Sequence, residues 1–129
     1  MIESSMRELI DHVVDGVPGV IGALIATTDG FLIASRLPES EVFDPSAVAA
    51  MSASTLALAS RLVQLGGPTP AKTVLHRSAQ AQVCVFAVGT TAVLTIVAES
   101  RADTERIERI GYEVSWGLVR ALEDQPPAE

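Results

Sequence analysis

Residues Asp44 to Gly67 read DPSAVAAMSASTLALASRLVQLGG, and this stretch decides the fold. Asp44 is placed to cap a helix by accepting the first free backbone N–H groups. Pro45 suits the first helical turn, where its missing donor costs nothing. Gly66 and Gly67 predict a left-handed stop, and Pro68 forbids continuation. From Pro45 to Ser60 no residue carries a charge. An ordinary surface helix has one apolar stripe and one charged face. This helix lacks the charged face over most of its length.

Two stripes run along it at helical spacing. Val48, Met51, Thr55, Leu58, Leu62 and Leu65 form one. Ala49, Ser52, Ala53, Leu56, Ser60 and Val63 form the other, mostly of small residues that permit close backbone approach. The stretch is short for a membrane span, which needs ~20 predominantly apolar residues, and it holds Arg61 and several hydroxyls. No membrane insertion is expected. The pattern predicts a helix covered on two sides, one by its own sheet and one by a second protein chain. A fully buried helix in a monomer is the plainer alternative, but a chain this short has little material for both sides.

The 129 residues suit one domain, expected over 1–123 with a short Pro-rich tail at 124–129. The hydrophobic share of 48% supplies a core, and aromatics at 4% leave it to Val, Leu, Ile and Ala. Charged residues are 19%, against about 25% in an average domain. The formal charge of −7 and the absence of a basic cluster remove the main driving term for phosphate-backbone binding, so nucleic acid is not an expected partner. The single cysteine, Cys84, lies in an apolar strand pattern and is expected to be a core residue in a reducing compartment. The opening MIESSMRELIDHV does not read as a signal peptide, and a cytoplasmic location is expected.

Outward from the central helix, the other elements follow. Ile2 to Val14 predicts a helix capped at Ser4 or Ser5, with Met6, Leu9, Ile10, Val13 and Val14 on one face. Val20 to Thr27 is apolar without alternation, as a strand buried on both faces would be. Thr28-Asp29-Gly30 turns it into a second strand, Phe31 to Ser35. Ala71 to Ser78 is the most polar strand and suits a sheet edge. Gln82 to Val88 and Thr91 to Ala98 complete a meander. Asp103 or Thr104 caps a last helix reaching about Leu122. The order αββαβββα predicts an α+β, three-layer α/β/α sandwich on one five-stranded antiparallel sheet. The central helix takes one face and the terminal helices the other.

Three segments carry a likeness. They are VPGVIGALIATTDGFLIASR at Val17 to Arg36, the small-residue helix from Pro45, and VFAVGTTAVLTIVAE at Val85 to Glu99. From Met6 to Leu122 the chain resembles the roadblock/LC7 family of dynein light chains and their bacterial relatives, which share a profilin-like layered fold. Among those relatives is the gliding protein that regulates a Ras-like GTPase. The resemblance implies a homodimer in which the central helices pack together and the third strands pair. It therefore implies interface roles for Val48, Ala49, Met51, Ser52, Ala53, Thr55, Leu56, Ser60 and Val63 on the helix, and for Lys72, Val74 and His76 on the edge strand. It implies no catalytic residues: the family consists of scaffolds and regulators. In the gliding protein the dimer binds its GTPase partly through the central helices and promotes hydrolysis without an arginine finger.

Other chemistry finds no support in the residues. Two separated histidines and one cysteine match no zinc spacing, and no metal or cofactor is expected. His12 is expected to partner Asp11 and Asp15. No G-x-x-x-x-G-K-[ST] loop or G-x-S-x-G elbow occurs. Arg36, Arg61, Arg77 and Arg101 are potential contacts for a GTPase, and Arg61, alone on an uncharged helix, is the candidate that would face it. Trp116 is expected to fill the core against the first helix. The function expected is a non-enzymatic homodimeric adaptor that binds a Ras-like small GTPase and modulates its nucleotide cycle. The alternative is a small-molecule sensor, with a pocket between sheet and helix, or a purely structural scaffold domain of a signalling complex.

Overall fold

The computed structural model describes residues 2–123, so the tail expected at 124–129 lies outside the described residues. The elements are α1 (Ile2–Gly16), β1 (Val20–Thr27), β2 (Leu32–Arg36), α2 (Pro45–Val63), a 3-10 turn (Gln64–Gly66), β3 (Thr73–Arg77), β4 (Ala81–Val88), β5 (Ala92–Glu99) and α3 (Thr104–Glu123). The five strands form one antiparallel sheet in the order β2-β1-β5-β4-β3. The three-layer α+β reading holds.

The central strands β1, β5 and β4 are buried on both faces, which explains their unbroken apolar runs. On one face Ile25, Phe86, Leu94 and Ile96 meet Ile10 and Val13 of α1 and Ile107, Val114 and Leu118 of α3. Burying those side chains, at ~1.5–3 kcal/mol each as an upper bound, is the main force holding the layers. On the other face the register aligns three transverse rows. Ala26, Val93 and Ala87 make the first row, and Leu24, Thr95, Val85 and Val74 the second. The third row is Gly22, Val97, Val83 and His76. α2 covers the first two rows through Ala49 on Leu24 and Ala26, and Leu56 on Val85 and Val93.

Local signals account for most boundaries. Asp44 Oδ1 accepts from the Ala47 N–H at 2.7 Å and starts α2. Asp103 Oδ1 accepts from the Glu105 and Arg106 N–H groups and starts α3. Gly30 turns the β1–β2 hairpin at φ +94°, and a Cβ there would lie 3.3 Å from Ala50 Cα, so glycine also lets the helix approach the hairpin. Buried Gln82 clasps the entry to α3. Its amide donates to the carbonyls of Glu99, Ser100 and Ala102, and its carbonyl accepts from Thr104 Oγ1.

Several expectations need correction. The first helix is already running at Ile2, so Ser4 and Ser5 lie within it rather than at its cap. α2 ends by tightening into the 3-10 turn, after which Gly67 is extended at φ 160°, so no left-handed residue stops it. Asp11 and Asp15 are paired by Arg36 at 3.1 and 2.9 Å, not by His12. Trp116 points outward at 70% exposure. Gly117 instead faces α1, where a Cβ would sit 3.3 Å from Leu9.

Candidate functional site

The site is built around the outward side of α2 and the free edge of β3. The stripe of small residues faces inward: Ala49, Ser52, Ala53 and Leu56 are all buried on the chain's own sheet. Small side chains suit that role because they let the helix axis settle close to the strands. Thr95 Oγ1 donates to Ser52 Oγ at 2.6 Å, fixing the helix over β5. These four residues are therefore consumed by the subunit's interior. Val48 is half-buried against the same cluster. Ser60 is also half-buried, and its Oγ accepts from the Ala71 N–H at 3.2 Å.

The stripe of large residues faces solvent. Leu58, Leu62 and Leu65 are 62%, 60% and 90% exposed and Met51 is about half exposed, and Val63, at the end of the small-residue stripe, is half exposed rather than buried. Isolated exposed leucines are ordinary, whereas a continuous row on one helix is an unusually apolar surface. Arg61 is exposed within it and has no ion-pair partner among the described residues. By length and composition alone, the 22 residues Pro45–Gly66 are long and apolar enough to cross a membrane. Here it lies flat along a sheet, held by its inner row.

β3 pairs only with β4, so its other edge carries free backbone donors and acceptors. Lys72 and His76 are exposed, and Val74 is half-buried under α2. Thr55 Oγ1 and His76 Nε2 lie 3.0 Å apart and tie the helix to this edge. The edge strand and the exposed helix row are thus neighbours on one side of the molecule.

A second feature lies beside α2. The third row of the sheet is not covered by the helix, and a groove of about 1050 Å³ opens over it. Val83 and Val97 form its floor, and Met51 and Thr55 one wall. The segment between β2 and α2, from Leu37 to Asp44, forms the other wall. Sequence reasoning missed this wall. Phe43, apolar inside an acidic loop, is the available signal.

Arg77 is exposed on β3 and has no ion-pair partner among the described residues. Arg101 Nε pairs with Glu99 at 2.7 Å. Cys84 is buried on the α3 side, where loss of hydration and the charge of Glu108 push its thiol up to about 11, only partly offset by Arg77. It is therefore not a nucleophile near neutral pH. Among the described residues, no three His, Cys, Asp or Glu side chains are grouped to hold a metal.

Residues 6–98 match the Roadblock/LC7 domain. The chain belongs to the Roadblock/LC7 family. Solved members share its fold at low identity. Myxococcus xanthus MglB is 17% identical with a TM-score of 0.85, over 98% of this chain and 95% of that one. The gliding protein MglB of Thermus thermophilus is 19% identical with a TM-score of 0.87, over 97% and 93%. A Roadblock/LC7 domain from Streptomyces avermitilis is 16% identical with a TM-score of 0.81, over 90% and 96%. No curated protein matches the sequence significantly.

Proposed function

We propose that this Roadblock/LC7 chain pairs with a second copy and serves as a non-enzymatic adaptor that binds a Ras-like small GTPase and modulates its nucleotide cycle. The observation that carries the reading is the row Met51, Leu58, Leu62 and Leu65, exposed along α2 and the 3-10 turn that ends it, beside the unpaired edge of β3. A two-fold axis at that edge brings both apolar rows together and joins two five-stranded sheets. The interface is isologous, so each exposed group on one copy meets its counterpart's surroundings on the other. Burial of the large stripe supplies the driving force, and β3 pairing supplies direction.

The likeness to gliding protein MglB supports the GTPase part of the reading. On this account the region 1–123 acts as one domain in the cytoplasm, without metal, cofactor or catalytic side chain. Arg61 is the charge on the α2 surface left to face the GTPase. The test is a titration against Ras-like GTPases of the same genome, loaded with GDP or a non-hydrolysable GTP analogue. Binding in one nucleotide state, weakened by Arg61→Ala with the oligomer intact, is the expected result. No binding in either state contradicts the reading.

The groove favours a second reading, a small-molecule sensor. Ligand sites commonly enclose about 300–1,000 Å³ and present a few convergent polar groups. The groove has the volume. Its one deep hydroxyl pair, Thr95 and Ser52, is already satisfied internally.

A further inference from the structure

We propose that the groove beside α2 is the seat of a protein segment that is apolar on one side and carries lysine or arginine. The groove adjoins the exposed leucine row, with Met51 on the rim of both, but the proposal does not rest on pairing.

The groove exists because α2 covers two of the three transverse rows of the sheet and leaves Val97 and Val83 half-buried. Phe43 and Met51 rise on either side of that floor, and both remain about half exposed. An apolar trough of this size is not kept wet without a reason. Its outer wall is held in place. Ser40 Oγ accepts from the backbone N–H groups of Val42 and Phe43, at 3.1 and 3.2 Å, and holds a local turn in the segment. Asp44 is fixed by capping α2.

The charge on that wall has one sign. Glu39, Glu41 and Asp44 line the groove, and no lysine or arginine does. Among the described residues Glu39 and Glu41 have no cationic partner. The nearby Arg36 is held by Asp11 and Asp15. An apolar floor with a uniformly acidic lip fits an apolar segment with a basic flank, because the lip steers and orients what the floor binds. A second copy is a poorer complement, since the chain carries −7 overall and Arg61, the one cation of its α2, lies on the row assigned to pairing. A small ligand would find few unsatisfied polar atoms inside.

The experiment uses the full chain and a fluorescent synthetic amphipathic helix of leucine and lysine, about four turns long, with a leucine–glutamate twin. The lysine peptide binds, more tightly at low salt than at high, and the twin binds at least about tenfold more weakly. Glu39→Gln/Glu41→Gln weakens the lysine peptide about tenfold. Glu105→Gln/Glu113→Gln, the same change of charge on the outer face of α3, leaves it unchanged. Val97→Trp, checked for native melting, fills the trough and removes binding. Where that variant does not fold, Phe43→Ala replaces it: it strips the apolar side chain from the outer wall, away from the leucine row, and weakens binding of the lysine peptide. Equal binding of the two peptides, or equal loss from the α3 variant, overturns the proposal. So does binding that appears only in a monomeric Leu58→Glu variant, which would assign the groove to a second copy. Saturable binding of the small dye ANS, blocked by Val97→Trp and without peptide binding, assigns it to a small molecule and overturns it too. Failure of the peptide in a chain that still pairs and still binds a GTPase overturns the proposal while leaving the adaptor reading in place.

Discussion

Thr95 donates a 2.6 Å hydrogen bond to Ser52 in an otherwise apolar seam between β5 and α2. Both residues are buried. The bond pins the small-residue row of α2 in place over β5. Ser52→Ala strands the Thr95 hydroxyl and is expected to destabilise the chain by about 1–3 kcal/mol. Ser52→Ala/Thr95→Val removes both partners and recovers most of that loss. Urea unfolding of the two variants measures the difference, and a double variant no better than the single one contradicts the role.

Gly111 lies where α3 crosses β4. A Cβ there would collide with the ring of Phe86, which is fully buried and packed edge-on against Tyr112. Gly111→Ala therefore overpacks the core and costs about 1–3 kcal/mol or more. Gly66→Ala, with nothing within 4 Å, is expected to be neutral or slightly stabilising. Thermal melting of the pair tests the contrast.

Arg36 at the end of β2 bridges Asp11 and Asp15 on α1. The hydrogen bond from Arg36 holds the Asp15 carboxyl below its ordinary value; desolvation opposes it, and a still smaller charge attraction to Arg36 adds to it. A depressed folded-state value means the contribution is present above the unfolded value, about 3.9, and is lost as pH falls through the lower folded value. Arg36→Gln is expected to return Asp15 to the ordinary carboxylate range in an NMR titration, with little change in stability at neutral pH because the groups are exposed.

Cys84 is expected to resist alkylation by iodoacetamide at mildly alkaline pH, since its thiol titrates at about 11 and is buried. Labelling should appear only with denaturant, and rapid labelling of the native chain would contradict the packing of β4 under α3.

Much of this is legible in the sequence. The apolar runs at Val20–Thr27 and Ala92–Glu99 are buried on both faces, and the polar strand Thr73–Arg77 is an edge. Periodicity finds two stripes on α2 but does not say which one faces the sheet. That choice follows from how closely a row of alanines and a serine can approach Leu24, Thr95 and Val85, a property of the assembled layers. The position of Trp116 escapes the sequence for a simpler reason. It lies two residues past Val114, about 200° round the helix from the buried row, and that row is already filled by Ile107, Ile110, Val114 and Leu118. Pairing of Arg36 with Asp11 and Asp15 depends on β2 lying beside α1, which local spacing does not encode. The uncovered row Val97–Val83–His76 likewise emerges only from strand register.

The account rests on the exposed leucine row of α2 being covered by a second copy. Sedimentation equilibrium of the wild-type chain and of Leu58→Glu/Leu62→Glu, whose changes lie on the solvent side and leave the core intact, tests it most directly. The predicted result is a mass of twice 13.5 kDa for the wild type and 13.5 kDa for the variant, with both folded. A wild type that stays at 13.5 kDa across the accessible concentration range, or a variant that pairs as well as the wild type, contradicts it.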